Sequence, residues 1–285
     1  MDAGKLYKKL DMDFDIEHFR DGWEKMDFND FISNTFKQRR LGLVLDNSEE
    51  IIKVYTAVFP SEGVIKKLLA SGEKNVLLFT HHPMIWDPTL NSFPFRNIDK
   101  KLLRRLRNNK ISLYTLHVPL DKNGDYSTAV NLAKALGITK KGEFCEYYGV
   151  KVGIYGKTKY RKVTDLANKI KESVGHRIKL WNYGEPEIKN NTVALVAGGG
   201  NAPDIIKDVV KLGINTYVTG VTLINRQYHP SVEFHNIAKE NEISVIGATH
   251  YSTEKFACIA IVDYFRRLGF PCEFIEDKNP INDLI

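Results

Sequence analysis

Six side chains of the kinds that bind divalent cations stand in three short segments: Thr80-His81-His82-Pro83, Leu116-His117-Val118-Pro119-Leu120-Asp121 and Thr249-His250-Tyr251-Ser252-Thr253-Glu254. Each segment follows an apolar run that reads as a strand: Asn75 to Phe79, Ile111 to Leu116, and Ile243 to Ile246. Side chains from the carboxyl ends of several strands converge on one crevice in open α/β folds. Four histidines, one aspartate and one glutamate at three such ends point to a single metal site assembled from distant parts of the chain.

Adjacent histidines on a straight strand face opposite ways. Pro83 forces an extended or turning path after the pair, so both rings can lean into the crevice while favouring different ions. The alternative is that one histidine ligates and the other caps the loop. His117 and Asp121 are four residues apart, but Pro119 between them argues against a regular helix. The expectation is therefore His117 at the strand end and Asp121 in the following loop. Asp121 reads as the ligand, because a carboxylate lowers the net charge of a cation site and leaves positions for water. A turn role within Asp121-Lys122-Asn123-Gly124 is the competing reading. His117 would support Asp121 or a metal-bound water.

Four-residue spacing places His250 and Glu254 on one helix face. Thr249 is a candidate N-cap there, and Ala257, Ile261 and Phe265 form the apolar stripe. Cys258 continues the face of His250 and Glu254, yet thiolate suits softer metals than a carboxylate-rich site does; packing is its expected role. The donors outnumber what one ion needs, and two first-row ions about 3.5–4 Å apart, sharing a bridging carboxylate and a bridging hydroxide, would use the surplus.

The elements that must position these residues alternate strand and helix, which argues for βαβ units. Phe28, Phe31, Ile32 and Phe36 give helical character up to about Gln38. Leu41 to Leu45 and Ile51 to Val58 read as strands, and Ser61 opens a helix. A Pro-rich loop spans Pro83 to Pro94, ahead of a basic helix in which Leu102, Leu103 and Leu106 interleave with lysine and arginine. The pattern restarts beyond Asp121, with strands at Val150 to Tyr155, Thr192 to Ala197 and Thr216 to Val218. Gly198-Gly199-Gly200-Asn201 follows the second of these. Its amides suit a phosphate, but the spacing of a dinucleotide or Walker loop is absent, and a tight turn explains it better. The expected fold class is an α/β, two-domain subunit with mixed, largely parallel sheets and the metal site at strand carboxyl ends. Because two metal segments lie early and one late, the second domain is expected to be inserted into the first. The metal-binding domain would comprise residues 1–124 plus 246–285, and the inserted domain residues 125–245.

The chain has 285 residues, with 43% hydrophobic and 27% charged residues, an ordinary globular balance. It holds no apolar stretch near the roughly 18–20 residues of a membrane helix, and the charged N-terminus lacks a secretory core. Three cysteines with no C-x-x-C pair fit a reducing compartment, so a cytoplasmic location is expected. The net charge of +6 is scattered rather than massed. It leaves room for a phosphorylated partner but carries no RNA-binding aromatic pattern. His18, His176, His229 and His235 sit in unrelated contexts and receive no role.

The order His81-His82-Pro83, His117-x-x-Leu120-Asp121 reaching Leu136-Gly137-Ile138, and His250-Tyr251-x-x-Glu254 resembles one family. It is the NGG-one-interacting-factor-three-like family of dinuclear-metal-centre proteins, whose members are often labelled GTP cyclohydrolase one, type two. The likeness runs from about Leu41 to Leu268. It implies a ring-shaped hexamer of two-domain α/β subunits with metal ligands at His81, His82, Asp121, His250 and Glu254. In the family pattern Glu254 bridges, His82 and Asp121 serve one ion, and His81 and His250 serve the other. The chain departs from that pattern at Ala57-Val58-Phe59-Pro60, where the family usually carries an aspartate. It departs again at Asp125-Tyr126-Ser127-Thr128 and at Val221, so substrate contacts can differ even where the metals are retained.

Coordination lowers the pKa of water from about 16 to near 7, making a hydroxide shared by two cations a nucleophile at neutral pH. The first expectation is a metal-dependent hydrolase acting on a nucleotide or other phosphorylated small molecule, with His117 as proton shuttle. Its cofactors would be two divalent ions per subunit, with zinc, iron, manganese, cobalt and nickel all compatible with these donors. The second expectation is a non-catalytic metal-binding or regulatory scaffold. The third is a nucleic-acid-binding ring, whose affinity would fall steeply with salt.

Overall fold

The run Val76–Thr80 is buried along its whole length, as a strand covered on both faces requires. It belongs to a computed structural model that describes residues 1–285 except Glu24, Asn29, Asn91, Ser92, Asn279, Pro280 and Ile285. In chain order the strands are β1 (Gly42–Leu45), β2 (Lys53–Ala57), β3 (Val76–Thr80), β4 (Ile85–Trp86), β5 (Phe95–Arg96), β6 (Ile111–Thr115), β7 (Thr139–Tyr147), β8 (Val150–Lys157), β9 (Lys179–Trp181), β10 (Thr192–Leu195), β11 (Thr216–Thr219), β12 (Ser244–Gly247) and β13 (Cys272–Phe274). The result is a mixed α/β fold with parallel and antiparallel pairings.

The chain divides into two compact units. The first comprises Met1–Asp87, Pro94–Leu120 and Cys258–Lys278; the second comprises Pro88–Phe93, Asp121–Ala257 and Asn279–Ile285. The chain passes between them at 87/88, 93/94, 120/121, 257/258 and 278/279, and the long second-unit segment runs from 121 to 257 where the sequence reading has 125 to 245. The later return follows from β12, which pairs in parallel with β11 and so stays with the second unit. The helix His250–Arg267 belongs to the second unit up to Ala257 and to the first from Cys258.

In the first unit the sheet order is β1-β6-β3-β2-β13, and only β1–β6 is antiparallel. Register sets Ala57 beside Thr80 and Thr80 beside Thr115, so three parallel strands end level. The residues that follow them leave from one edge. Ser61 caps the helix Glu62–Ala70 by accepting from the Val64 amide at 3.1 Å. The helical stretch expected up to Gln38 is two helices, Ala3–Asp13 and Asn34–Arg39; Phe28 and Ile32 are buried between them outside helix. Ser33 starts the second helix by accepting from the Phe36 amide at 3.1 Å. Within the expected loop from Pro83 to Pro94, Ile85–Trp86 pairs with Phe95–Arg96 as a short hairpin; Asn91 and Ser92 lie outside the described residues.

The second unit has the order β7-β8-β10-β11-β12-β9. Only β10–β11 and β11–β12 are parallel, so the expectation of a largely parallel sheet fits the first unit and not this one. The cause is a long hairpin, β7–β8, turned by Tyr148 and Gly149 at φ 46° and 80°. Positive φ at both central residues matches the right-handed twist of the strands. Alternate residues of β10 feed two cores: Val193 and Leu195 pack with the helices Thr128–Leu136 and Val163–Val174, whereas Ala194 packs with Pro203–Lys211 and His229–Glu240. Among the described residues no helix is long and apolar enough to cross a membrane.

Candidate metal centre

In the first unit the ladder continues past the strand ends. The His81 amide donates to the Ala57 carbonyl at 3.3 Å and the His82 amide to Val58 at 3.0 Å. Thr80 Oγ1 donates to the His82 carbonyl at 2.7 Å, and Thr115 Oγ1 donates to that of His81 at 2.8 Å. These bonds bend the chain so that both rings turn to the same side. His81 and His82 ring centroids are 4.4 Å apart, and His117 lies 5.0 and 4.7 Å from them. One ligand atom from each of the three lies within 4.8 Å of the others.

Their orientations are fixed from behind. His81 Nδ1 is 2.8 Å from the Leu116 carbonyl, so Nδ1 carries the proton and Nε2 the lone pair. His117 Nδ1 is 2.7 Å from Asp21 Oδ2, which selects the same tautomer. Asp21 was not visible in the sequence: it is a lone carboxylate 96 residues away, in a stretch with no periodic pattern. Phe59, from the departing segment Ala57-Val58-Phe59-Pro60, stacks on His82 at 4.6 Å and 16°. Trp23 packs edge-to-face with His82 and His117, ring centroids 5.8 and 5.2 Å apart.

His117 does precede a helical turn, Val118–Asp121, so the expectation of Asp121 in an irregular loop is corrected. Pro119 is tolerated because first-turn amides need no partner within a helix. Asp121, the last residue of this turn, opens a segment of the second unit and accepts from Thr128 Oγ1 at 2.9 Å.

In the second unit Glu254 Oε1 stands 3.0 Å from His250 Nε2, with both side chains buried. A carboxylate oxygen of Asp121 and one of Glu254 lie within 4.8 Å of each other. Thr249 caps the helix, its Oγ1 accepting from the Ser252 amide at 3.2 Å, and Asp283 Oδ2 accepts from the His250 amide at 2.7 Å. Thr249 itself sits at φ 64°, a left-handed conformation that is an outlier for a β-branched residue. The glycine turn makes room for this pair. Gly198 has φ 71°, and a Cβ there would overlap Glu254 Oε1 and lie 3.0 Å from His250 Nε2. The Gly198 amide donates to Thr253 Oγ1 and that of Gly200 to Thr219 Oγ1, so the turn spends these amides internally. Cys258 is fully buried, its thiol donating to the Ala57 carbonyl at 3.3 Å, as a packing residue.

Imidazoles in the first unit, and an imidazole with two carboxylates in the second, are donors that suit a divalent metal ion. A mixed α/β chain with buried histidine and glutamate groups of this kind is a protein that could hold metal. This chain belongs to the Duf34/NIF3 (NGG1p interacting factor 3) family, whose profile matches residues 32–280. A "GTP cyclohydrolase 1 type 2 homolog" of Archaeoglobus fulgidus is 29% identical over 237 residues, covering 82% of this chain and 88% of the relative. The solved structure of TTHA1606 from Thermus thermophilus superposes with a TM-score of 0.69 at 25% identity, over 98% of this chain and 100% of that one. The structure of "protein ybgI, unknown function" reaches a TM-score of 0.76 at 21% identity, over 98% and 100%, a likeness of fold.

Proposed function

We propose that this protein is a metal-dependent hydrolase whose two divalent ions are held by His81, His82, Asp121, His250 and Glu254, with His117 carrying the proton. The observation that carries the reading is the buried cluster of His81, His82 and His117, with ligand atoms mutually within 4.8 Å. Three imidazoles are not gathered away from water for packing, since each must then find a partner for its polar nitrogens. When bound, the ions supply Lewis acidity toward a phosphoryl oxygen and lower the pKa of water from 15.7 to about 7.

The chain's own residues divide the remaining work. The Leu116 carbonyl holds His81 with its lone pair on Nε2. Glu254 offers two oxygens, enough to reach two cations. His117 presents Nε2 for a proton because its Nδ1 is engaged by Asp21. The name of the Archaeoglobus relative makes a nucleotide the substrate class to try first. A ring-shaped homohexamer is the assembly that membership of the family favours, and light scattering on the purified chain checks it.

A second reading, a metal-binding scaffold without turnover, is favoured by one feature. Phe59, from the segment 57–60 where the family usually carries an aspartate, stacks on His82, and Trp23 packs on the same ring, so aromatic side chains cover it. The deciding experiment offers GTP, other nucleoside triphosphates and a phosphomonoester to protein reloaded with zinc, iron or manganese. Turnover that disappears in His117→Ala supports the hydrolase. Metal-replete protein that converts none of them sinks it and leaves the scaffold.

A further inference from the structure

Asp21 and Trp23 lie outside the matched span of residues 32–280, yet both touch the histidine cluster of the first unit. We propose that Asp21 is a positioning residue for His117, fixing its tautomer and ring plane so that Nε2 is the nitrogen presented to His81 and His82. The proposal rests on the reading of His117 as the proton carrier.

Three observations carry it. Asp21 is only 6% exposed, and both its oxygens are engaged: Oδ2 with His117 Nδ1 at 2.7 Å and Oδ1 with the Gly22 amide at 2.8 Å. A carboxylate so buried is costly unless paired and hydrogen-bonded, and its partner is the ring it orients. Trp23, two residues on, packs edge-to-face with His117 at 5.2 Å and with Phe95 at 4.9 Å. Finally, His81 solves the same orientation problem next door with a backbone carbonyl. Tautomer alone therefore did not require a carboxylate. A carboxylate behind an imidazole is the arrangement that fixes tautomer and ring orientation at metal and hydrolytic sites.

The test uses the full-length, metal-free protein with nitrogen-15-labelled histidine and needs no turnover, so it is decided independently of the hydrolase reading. The expected wild-type spectrum shows His117 protonated at Nδ1, with that proton shifted far downfield by its bond to a carboxylate. Asp21→Ala should release the ring into a mixture of both tautomers and remove the downfield proton. Should Asp21→Ala not fold, Asp21→Asn keeps the shape. Its amide either accepts more weakly or donates and inverts the tautomer, so the downfield proton is lost either way. A wild-type His117 protonated at Nε2, or a downfield Nδ1 proton that survives replacement of Asp21, would overturn the proposal.

Discussion

The first unit gathers three imidazoles and orients two of them by acceptors behind the ring, a carbonyl for His81 and a carboxylate for His117. The second unit gathers two carboxylates and one imidazole and makes room for them with backbone. Gly198 stands aside for Glu254, and Thr249 accepts a left-handed conformation at the start of the helix. The contrast follows from charge. Neutral imidazoles can be buried side by side at the cost of satisfying their nitrogens, whereas two carboxylates within 4.8 Å repel unless a cation or a proton lies among them. The first cluster is thus oriented by acceptors behind its rings, whereas the second depends on the space that Gly198 leaves as well as on its hydrogen bonds. The second should be the more sensitive of the two to small changes in backbone and to loss of metal.

Gly198→Ala is the harshest way to break that comparison. The new Cβ would overlap Glu254 Oε1 at a residue whose φ is positive. Strain plus overpacking should destabilise the protein by about 2–4 kcal/mol and empty the carboxylate cluster. Gly199→Ala is its control, because a Cβ there meets nothing within 4 Å; its effect should stay within about 0.5 kcal/mol. Urea unfolding and metal analysis of the two variants check this, and equal effects would contradict it.

His235 sharpens the comparison by separating the acid sensitivity of the second unit's core from that of its carboxylates. Burial pushes this imidazole below its ordinary pKa, offset in part by its bond to the Thr222 carbonyl. Its Nδ1 accepts from Tyr183 Oη at 3.0 Å, which a protonated ring cannot do. The folded state therefore binds this proton less readily than the unfolded chain. The stability contributed by neutral His235 is present above the usual value of about 6.5 and is lost as pH falls below it toward the folded pKa. Unfolding midpoints measured on both sides of that value should fall less for His235→Gln than for wild type. Parallel declines would assign the acid sensitivity elsewhere.

The mildest expected effect is that of Cys258→Ala. Loss of a buried thiol should cost about 1 kcal/mol and leave metal content unchanged. A drop in bound metal would make the thiol a ligand after all.

The strand ends that carry the histidines were legible because buried parallel strands are continuous apolar runs, and Val76–Thr80 and Ile111–Thr115 are just that. The His250–Glu254 pair was legible because helical spacing alone puts both on one face. β7 was not: Thr139–Tyr147 is charged and mostly exposed, so neither alternation nor apolar content marks it. The N-terminal aromatic residues kept a helical period although Phe28 and Ile32 are buried outside helix; tertiary packing overrode the pattern. Asp21 had no local mark at all. Its meaning comes only from a partner 96 residues away.

The central claim, that these side chains hold divalent ions, is tested most directly by metal content per chain. The protein should be purified without chelator or affinity tag and compared with Glu254→Ala. The account predicts about two ions per wild-type chain, as a dinuclear site requires, and a substantial loss in the variant. A wild-type chain that holds no metal, even after reloading with zinc, iron or manganese, would contradict it.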